Sequence, residues 1–343
     1  YNNVPFYTEL LDSKHLKPKD INNFDDLKMI PKITKDDLKK AGEAIYSNKI
    51  KKSNCESVTS SGSTGEPFTS YFDKSSWFLM KNISKLRSKF LCGLRPGDKV
   101  VNIDCLSKEE TVKKNISNFF RDKFLTLRYL SVFDTIKNHV LYLNDLKPRV
   151  LYGLASYFLE LGSYLEKNNV TLSFVEIIFT SGELVDTFTR NKLKHYFGDM
   201  IFDIYGTTEM MEVSFEHPNH VGYAINDDLY YVEFEKLHNK DDGDEVIITS
   251  FENKMMPLIR YSVGDRGKKI NNSTSNHKGL QFARMEPLVG REVDFIKLEN
   301  SDKISPYRLT CALENINNLM QYQVIQNSSD SIEVKIVSTS KDI

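Results

Sequence analysis

The sequence contains no run of 18 or more apolar residues, which excludes a membrane-spanning helix. It has no surplus of either charge. Lys and Arg number 46 against 47 Asp and Glu, so no net field attracts nucleic acid or an anionic membrane. Cysteine is scarce and scattered: Cys55, Cys92, Cys105 and Cys311 form no CxxC pair. This argues against a disulfide framework and a zinc ribbon, and points to a reducing, cytoplasmic setting. The close histidine pair, His217 and His220, encloses Pro218-Asn219; the proline favours a turn there, with metal ligation as the alternative. No GxGxxG follows the first strand, which argues against a dinucleotide-binding dehydrogenase, and no GxxxxGK[ST] Walker A loop is present. The chain opens on Tyr with no signal-peptide pattern, so its start reads as trimmed. There is no internal repeat. The lysine-rich segments Lys35–Lys40 and Lys49–Lys52 read as solvated faces.

What is present begins with Ser60-Ser61-Gly62-Ser63-Thr64-Gly65-Glu66-Pro67, set between two β-like runs, Glu56–Thr59 and Phe68–Phe72. Glycine admits positive φ and close approach of the backbone to a ligand. Successive N–H groups in such a turn form an anion-binding concavity, and the hydroxyls of Ser61, Ser63 and Thr64 add donors. A polyphosphate cradle and an ordinary surface turn both fit this composition.

At 343 residues the chain exceeds one small core, and a large domain with a smaller one is expected. Thr34 is placed to cap a helix that carries Asp36 and Asp37 in its first turn. In Ser75–Leu91, the residues Leu79, Ile83, Leu86 and Phe90 form one apolar helical face, and Trp77 belongs to the same core contact. Strands at 100–103, 125–132, 150–154, 174–179 and 200–204 then alternate with helices at 110–120, 134–143, 157–166 and 186–197. This is the pattern of a mostly parallel α/β sheet, whose ligands bind beyond the carboxyl ends of its strands. Thr180-Ser181-Gly182-Glu183 and Tyr205-Gly206-Thr207-Thr208-Glu209 lie at such ends. From about residue 221 to 290 the texture becomes that of a β subdomain. A small α+β segment with a helix at 306–316 and a hairpin turning at 327–330 follows, so the division expected is 1–290 and 291–343.

Four stretches stand in order: Ser60–Pro67, Tyr205–Glu209, Arg260-Tyr261-Ser262-Val263-Gly264-Asp265, and Gly290-Arg291-Glu292-Val293-Asp294-Phe295-Ile296-Lys297. Together they resemble the core motifs of the adenylate-forming superfamily of acyl-CoA synthetases, peptide-synthetase adenylation domains and luciferases. Pro5-Phe6-Tyr7, Ile30–Leu38, Thr180–Glu183, Pro257–Tyr261 and Ser305-Pro306-Tyr307 resemble the phenylacetate–CoA ligase-like branch, which includes proteins encoded with capsular polysaccharide genes. The resemblance implies a small carboxylic acid activated by ATP as an acyl-adenylate, with Mg²⁺, and passed to CoA or an acceptor amine. It assigns Ser60, Ser61, Gly62, Ser63, Thr64 and Gly65 to the β- and γ-phosphates, and Thr208 to the α-phosphate. Glu209 falls to the metal, Tyr205 to the adenine face with Gly206 and Thr207 beside it, and Gly182 and Glu183 to the adenine border. Asp265 falls to the ribose hydroxyls and Arg291 to ribose or phosphate. The local alternatives are plainer: Thr208 as a helix N-cap, Glu209 as a helix-start carboxylate, and Asp265 as a turn residue. A homodimer remains open.

The sequence departs from the family pattern at three places. Glu66 stands where relatives carry lysine, Val293 stands at the usual hinge position, and no lysine in the closing segment has the context of the catalytic one. The expectation is a small domain that is incomplete, and a rival reading follows: a non-catalytic or partner-dependent nucleotide-binding protein of surface-polysaccharide biosynthesis.

Overall fold

The structure is a computed structural model that describes residues 1–59, 68–119, 125–236, 243–271, 275–277, 280–291, 296–297, 303–304 and 319–338. The Ser60–Pro67 loop, the Val293 hinge and the expected helix at 306–316 lie outside the described residues.

The N-terminal segment holds helix α1 (Pro5–Ser13) and α2 (Lys35–Ala41). Thr34 caps α2 as its sequence indicates: its hydroxyl accepts from the Asp37 N–H, and the Asp37 carboxylate reaches back to the Thr34 N–H. The hairpin β1 (Glu56–Thr59) and β2 (Thr69–Phe72) leads into α3 (Lys74–Trp77), a π-helical stretch over Phe78–Ile83, and α4 (Ser84–Leu91). Of the expected apolar face, Leu79, Leu86 and Phe90 pack against the cores while Ile83 is exposed, and the fully buried line is Met80, Ser84, Ser88 and Leu91. A wider turn shifts the phase of the helix, and the two small serines let it approach the sheet closely.

The alternating region forms β3 (Lys99–Asp104), α5 (Lys108–Phe119), β4 (Thr126–Ser131), α6 (Ile136–Leu146), β5 (Val150–Gly153), α7 (Ala155–Lys167), β6 (Ile177–Ser181), α8 (Thr187–Phe197) and β7 (Ile201–Thr207). Strands β8 (Met211–Glu216) and β9 (Tyr223–Ile225) follow, then β10 (Tyr230–Glu235), β11 (Asp244–Ser250) and β12 (Tyr261–Gly267). Short strands β13 (Ser275–His277), β14 (Leu280–Phe282), β15 (Arg284–Met285), β16 (Gly290–Arg291), β17 (Ile296–Lys297) and β18 (Lys303–Ile304) precede the closing hairpin, β19 (Leu319–Ser328) and β20 (Ser331–Ser338).

The main sheet has eight strands in the order β15-β9-β8-β7-β6-β5-β3-β4. From β4 to β7 the neighbours are parallel; from β7 to β15 they are antiparallel. The residues expected in one β subdomain are thus shared between two sheets: β9 and β15 extend the main sheet, and β10-β11-β12-β16 form a second one. One face of the main sheet packs Val101, Ile103, Leu151 and Ile178 against Leu143, Phe158 and Leu193 of α6, α7 and α8. The other packs Val100, Val150, Ile177 and Phe179 against Leu91 and Cys92 at the end of α4. A third core joins the second sheet to the N-terminal segment through Tyr7, Ile33, Leu38, Val246 and Leu258. Ile33 bridges Tyr261, which brings the start of α2 beside β12.

Candidate functional site

A cavity of about 260 Å³ opens where β6 and β7 end. Its walls include Gly182, Glu183, Asp203, Tyr205, Gly206, Asp265 and Gly290. The position follows the rule for parallel sheets, since both strands deliver their carboxyl ends to it.

Each wall has a local cause. β6 ends in Gly182 at φ +88°, a conformation that glycine reaches without Cβ strain. Glu183 then turns its carboxylate onto α7, accepting from the Ser156 N–H and hydroxyl, both at 2.7 Å. Leu154 at the N-cap of α7 makes no side-chain cap, so Glu183 supplies one from the neighbouring strand. At Gly206 the β7–β8 pairing shifts register, and an added Cβ would lie 2.0 Å from the Met211 carbonyl oxygen. Only glycine admits that approach.

Tyr205 and Asp265 meet here. The Tyr205 hydroxyl donates to Asp265 Oδ2 at 2.8 Å, and both residues are buried. This bond joins a bulged strand of the main sheet to a strand of the second sheet. Asp265 is also the direct cross-strand partner of Arg291; the Arg291 side chain lies outside the described residues. Gly182, Glu183, Tyr205, Gly206 and Asp265 are therefore brought together from far apart in the chain, with Arg291 in register beside them.

Thr207, Thr208 and Glu209 follow Tyr205 into the β7–β8 connection. No helix starts there, so the N-cap and helix-start alternatives for Thr208 and Glu209 fall away. The Thr207 hydroxyl accepts from the Met210 N–H at 3.1 Å and steadies the turn. The Glu209 side chain is 6% exposed, with Lys35 Nζ 3.1 Å from its Oε1. This corrects the reading of Lys35 as part of a solvated face. The residue is recruited because Ile33 anchors the start of α2 on β12, a tertiary consequence invisible in a local charge run. Among the described residues no group of three or more His, Cys, Asp or Glu side chains gathers for a metal. Mg²⁺ commonly takes one or two carboxylates and completes its shell with phosphate oxygens and water. Glu209 fits that demand: its buried carboxylate already faces a cationic group.

Sequence reasoning missed the buried polar cluster beneath the cavity. Asp203 accepts from the Thr180 hydroxyl at 2.5 Å and the Tyr223 hydroxyl at 2.7 Å. Its N–H donates to Glu216 Oε2, which Arg190 also reaches at 2.7 Å. Burial pushes the Asp203 carboxyl up to about 6, against the pull of its hydroxyl donors and Arg190. His220 Nδ1 lies 2.9 Å from Glu216 Oε1, and that contact raises the imidazole's pKa. His217 bonds Asn219 through Nδ1, so both histidines have local partners in this loop. The available signal was the alternation Asp203, Tyr205 on one strand against Ser214, Glu216 on the next, which is polar and therefore does not look like a core strand.

No family model matches the sequence. Protein CapK of Staphylococcus aureus is 26% identical over 344 residues, spanning 98% of this chain and 74% of its own length. A phenylacetate-coenzyme A ligase of Thermus thermophilus is 23% identical over 353 residues, spanning 98% of this chain and 77% of its own. Among solved structures, a 2-hydroxyisobutyryl-CoA ligase in its postadenylation state, bound to 2-HIB-AMP, superposes with a TM-score of 0.78 at 18% identity, over 98% of this chain and 74% of that one. The chain thus shares the fold of adenylate-forming CoA ligases, and its sequence is similar to CapK and to a phenylacetate-coenzyme A ligase.

Proposed function

We propose that this chain activates a small carboxylic acid with ATP, forming an acyl-adenylate and releasing pyrophosphate, and passes the acyl group to CoA or an amine. The observation that carries the reading is the Tyr205–Asp265 pair at the mouth of the cavity. A carboxylate can accept from both hydroxyls of a ribose while keeping one further bond. An aromatic ring held by its own hydroxyl offers a fixed face for a base. Gly182 and Gly206 leave room for close approach of the nucleotide. Thr208 would donate to the α-phosphate. Glu209 would hold Mg²⁺, which supplies charge neutralisation on the phosphates when bound. Ser60, Ser61, Gly62, Ser63, Thr64 and Gly65 would hold the β- and γ-phosphates through N–H and hydroxyl donors, with Arg291 closing on ribose or phosphate. The reaction then needs positioning and charge stabilisation above all.

The test is carboxylate-dependent exchange of pyrophosphate into ATP by the purified protein. Exchange that requires an acid and disappears in Asp265→Ala supports the reading. Saturable ATP binding without exchange for any acid in a broad panel would favour the rival: a partner-dependent nucleotide-binding protein, with surface-polysaccharide assembly as its setting. The family resemblance and the CapK relative support that setting.

A further inference from the structure

A triphosphate is strongly anionic, yet the residues proposed to hold its outer end bring little positive charge. The sequence from Ser60 to Pro67 contains no lysine or arginine and one acid, Glu66. Glu209 adds a second carboxylate. Both would repel the terminal phosphates. Mg²⁺ answers part of that need, and a fixed cation from another element would answer it without the metal.

The fold brings one such cation to Glu209. β7 and β12 meet at the Tyr205–Asp265 bond, and two branches leave it. Four residues on from Tyr205, the β7–β8 connection reaches Glu209. Three residues back from Asp265, roughly 10 Å at the rise of a strand, β12 reaches Ser262. The start of α2 links the two branches. Ile33 is bonded into β12 twice: its N–H donates to the Arg260 carbonyl at 3.0 Å, and its carbonyl accepts from the Ser262 N–H at 2.8 Å. The capping box of Thr34 and Asp37 then sets the direction of the helix. Lys35, its first residue, places Nζ 3.1 Å from Glu209 Oε1. The same Nζ is 5.8 Å from the centre of the Phe68 ring. Phe68 leads into β2, whose Thr69 pairs with Thr59 of β1 and shares a 2.9 Å hydroxyl contact with it. The ammonium group thus stands between Glu209 and the base of the β1–β2 hairpin.

Two features set this contact apart from an ion pair made for stability. Glu209 is buried, yet its Oε1 has no hydrogen-bond partner among the described residues, so Lys35 meets it by charge without an aligned N–H···O bond. A buried pair stabilises only where its geometry is aligned and its lone pairs are satisfied. Lys35, for its part, is 35% exposed. An ammonium with three donors is therefore reachable from solvent while a buried carboxylate holds it in place.

We propose that Lys35 is a phosphate-binding residue of the ATP site, donating to the β- or γ-phosphate while Glu209 orients it and keeps its second oxygen for the metal. The inference rests on the acyl-adenylate reading and adds to it a residue from α2, far from the other site residues in sequence. It makes the N-terminal segment part of the nucleotide site, and it makes Lys35 matter for ATP and pyrophosphate but not for AMP.

The test is calorimetric titration of ATP, pyrophosphate and AMP, in metal-free buffer, into wild type, Lys35→Met and Lys35→Arg. Lys35→Met should lose roughly tenfold in affinity for ATP, the scale of one charge-assisted hydrogen bond, while its affinity for AMP stays level. Lys35→Arg should recover most of the loss. Raising the ionic strength should weaken ATP binding more in wild type than in Lys35→Met. ATP and AMP affinities that fall together in Lys35→Met overturn the inference, because a displaced helix or carboxylate accounts for both. Unchanged ATP affinity in that variant overturns it as well. Wild type that binds no nucleotide defeats the acyl-adenylate reading and this inference with it. ATP binding that depends on Lys35, with no acid supporting pyrophosphate exchange, upholds the residue's role and defeats the activity.

Discussion

Replacing Tyr205 with Phe keeps the ring and removes one hydroxyl. The lost bond runs 2.8 Å to Asp265 Oδ2, and Asp265 is 3% exposed. A hydrogen bond to a charged group is worth about 1.5–3 kcal/mol. The free protein should thus lose about 2 kcal/mol of stability, a fall in melting temperature of several degrees for a domain of this size. The same bond aims the carboxylate at the proposed ribose, so AMP affinity should fall by roughly tenfold, or about 1.4 kcal/mol. Calorimetric titration with AMP and with its 2′,3′-dideoxy analogue separates the two effects. Wild type should discriminate strongly between them, because Asp265 would lose both hydroxyl donors; Tyr205→Phe should discriminate less. If wild type binds the two nucleotides equally, Asp265 does not hold the ribose. If Tyr205→Phe binds AMP as wild type does and melts unchanged, the bond is neither a positioning nor a stabilising one.

The other outcomes follow from single contacts. Gly206→Ala drives a methyl group to 2.0 Å from the Met211 carbonyl oxygen; the strain should cost about 1–3 kcal/mol, measured by urea unfolding, and abolish nucleotide binding. Lys35→Met strips the counter-charge from a buried carboxylate whose partner is 35% exposed, so screening limits the loss to about 1 kcal/mol. Added Mg²⁺ should raise the melting temperature of that variant more than that of wild type. Gly65→Val should weaken ATP binding far more than AMP binding, since the loop is proposed to hold only the β- and γ-phosphates; equal losses in titration would remove it from that role. Asp203 titrates at about 6 against an ordinary 3.8. Between those values the folded state holds more protons than the unfolded one, so stability falls as pH rises through the window, by on the order of 3 kcal/mol. Melting temperatures measured across it should flatten in Asp203→Asn.

Most of the main sheet was legible because β5, β6 and β7 are largely buried and the strands from β3 to β7 alternate with amphipathic helices, the pattern for which hydrophobic periodicity is most informative. Three places were not. β6 begins at Ile177 rather than Phe174, because Phe174 lies in the turn that precedes the strand. The face through α4 was legible only in part: Ile83 turns out exposed because the π-helical stretch breaks the assumed period, and the fully buried Ser84 and Ser88 carry no hydrophobic signal. β8 was overlooked because Glu212, Ser214 and Glu216 are polar yet buried. A carboxylate such as Glu216 enters a strand interior where other elements supply partners, and two of its partners, Arg190 and the Asp203 N–H, come from other elements of the chain.

The same reasoning explains why the motifs were easier to find than their neighbours. Gly182 and Gly206 answer to backbone geometry, and Tyr205 and Asp265 are proposed to answer to a nucleotide, so each departs from what packing alone would select. Lys35 and Asp203 answer to other side chains. Lys35 has meaning only after Ile33 joins β12, and Asp203 only after Thr180 and Tyr223 converge on it. Asp203 nevertheless sets the cavity floor, because the hydroxyls it accepts hold β6 and β9 to β7 directly below Tyr205. A change in its protonation would therefore alter the footing of the ring that is proposed to meet the base, and nucleotide affinity should follow the same pH window as stability. AMP titrations on either side of about pH 6 decide this: affinity that changes in wild type and stays level in Asp203→Asn ties the buried cluster to the site, and identical profiles separate them.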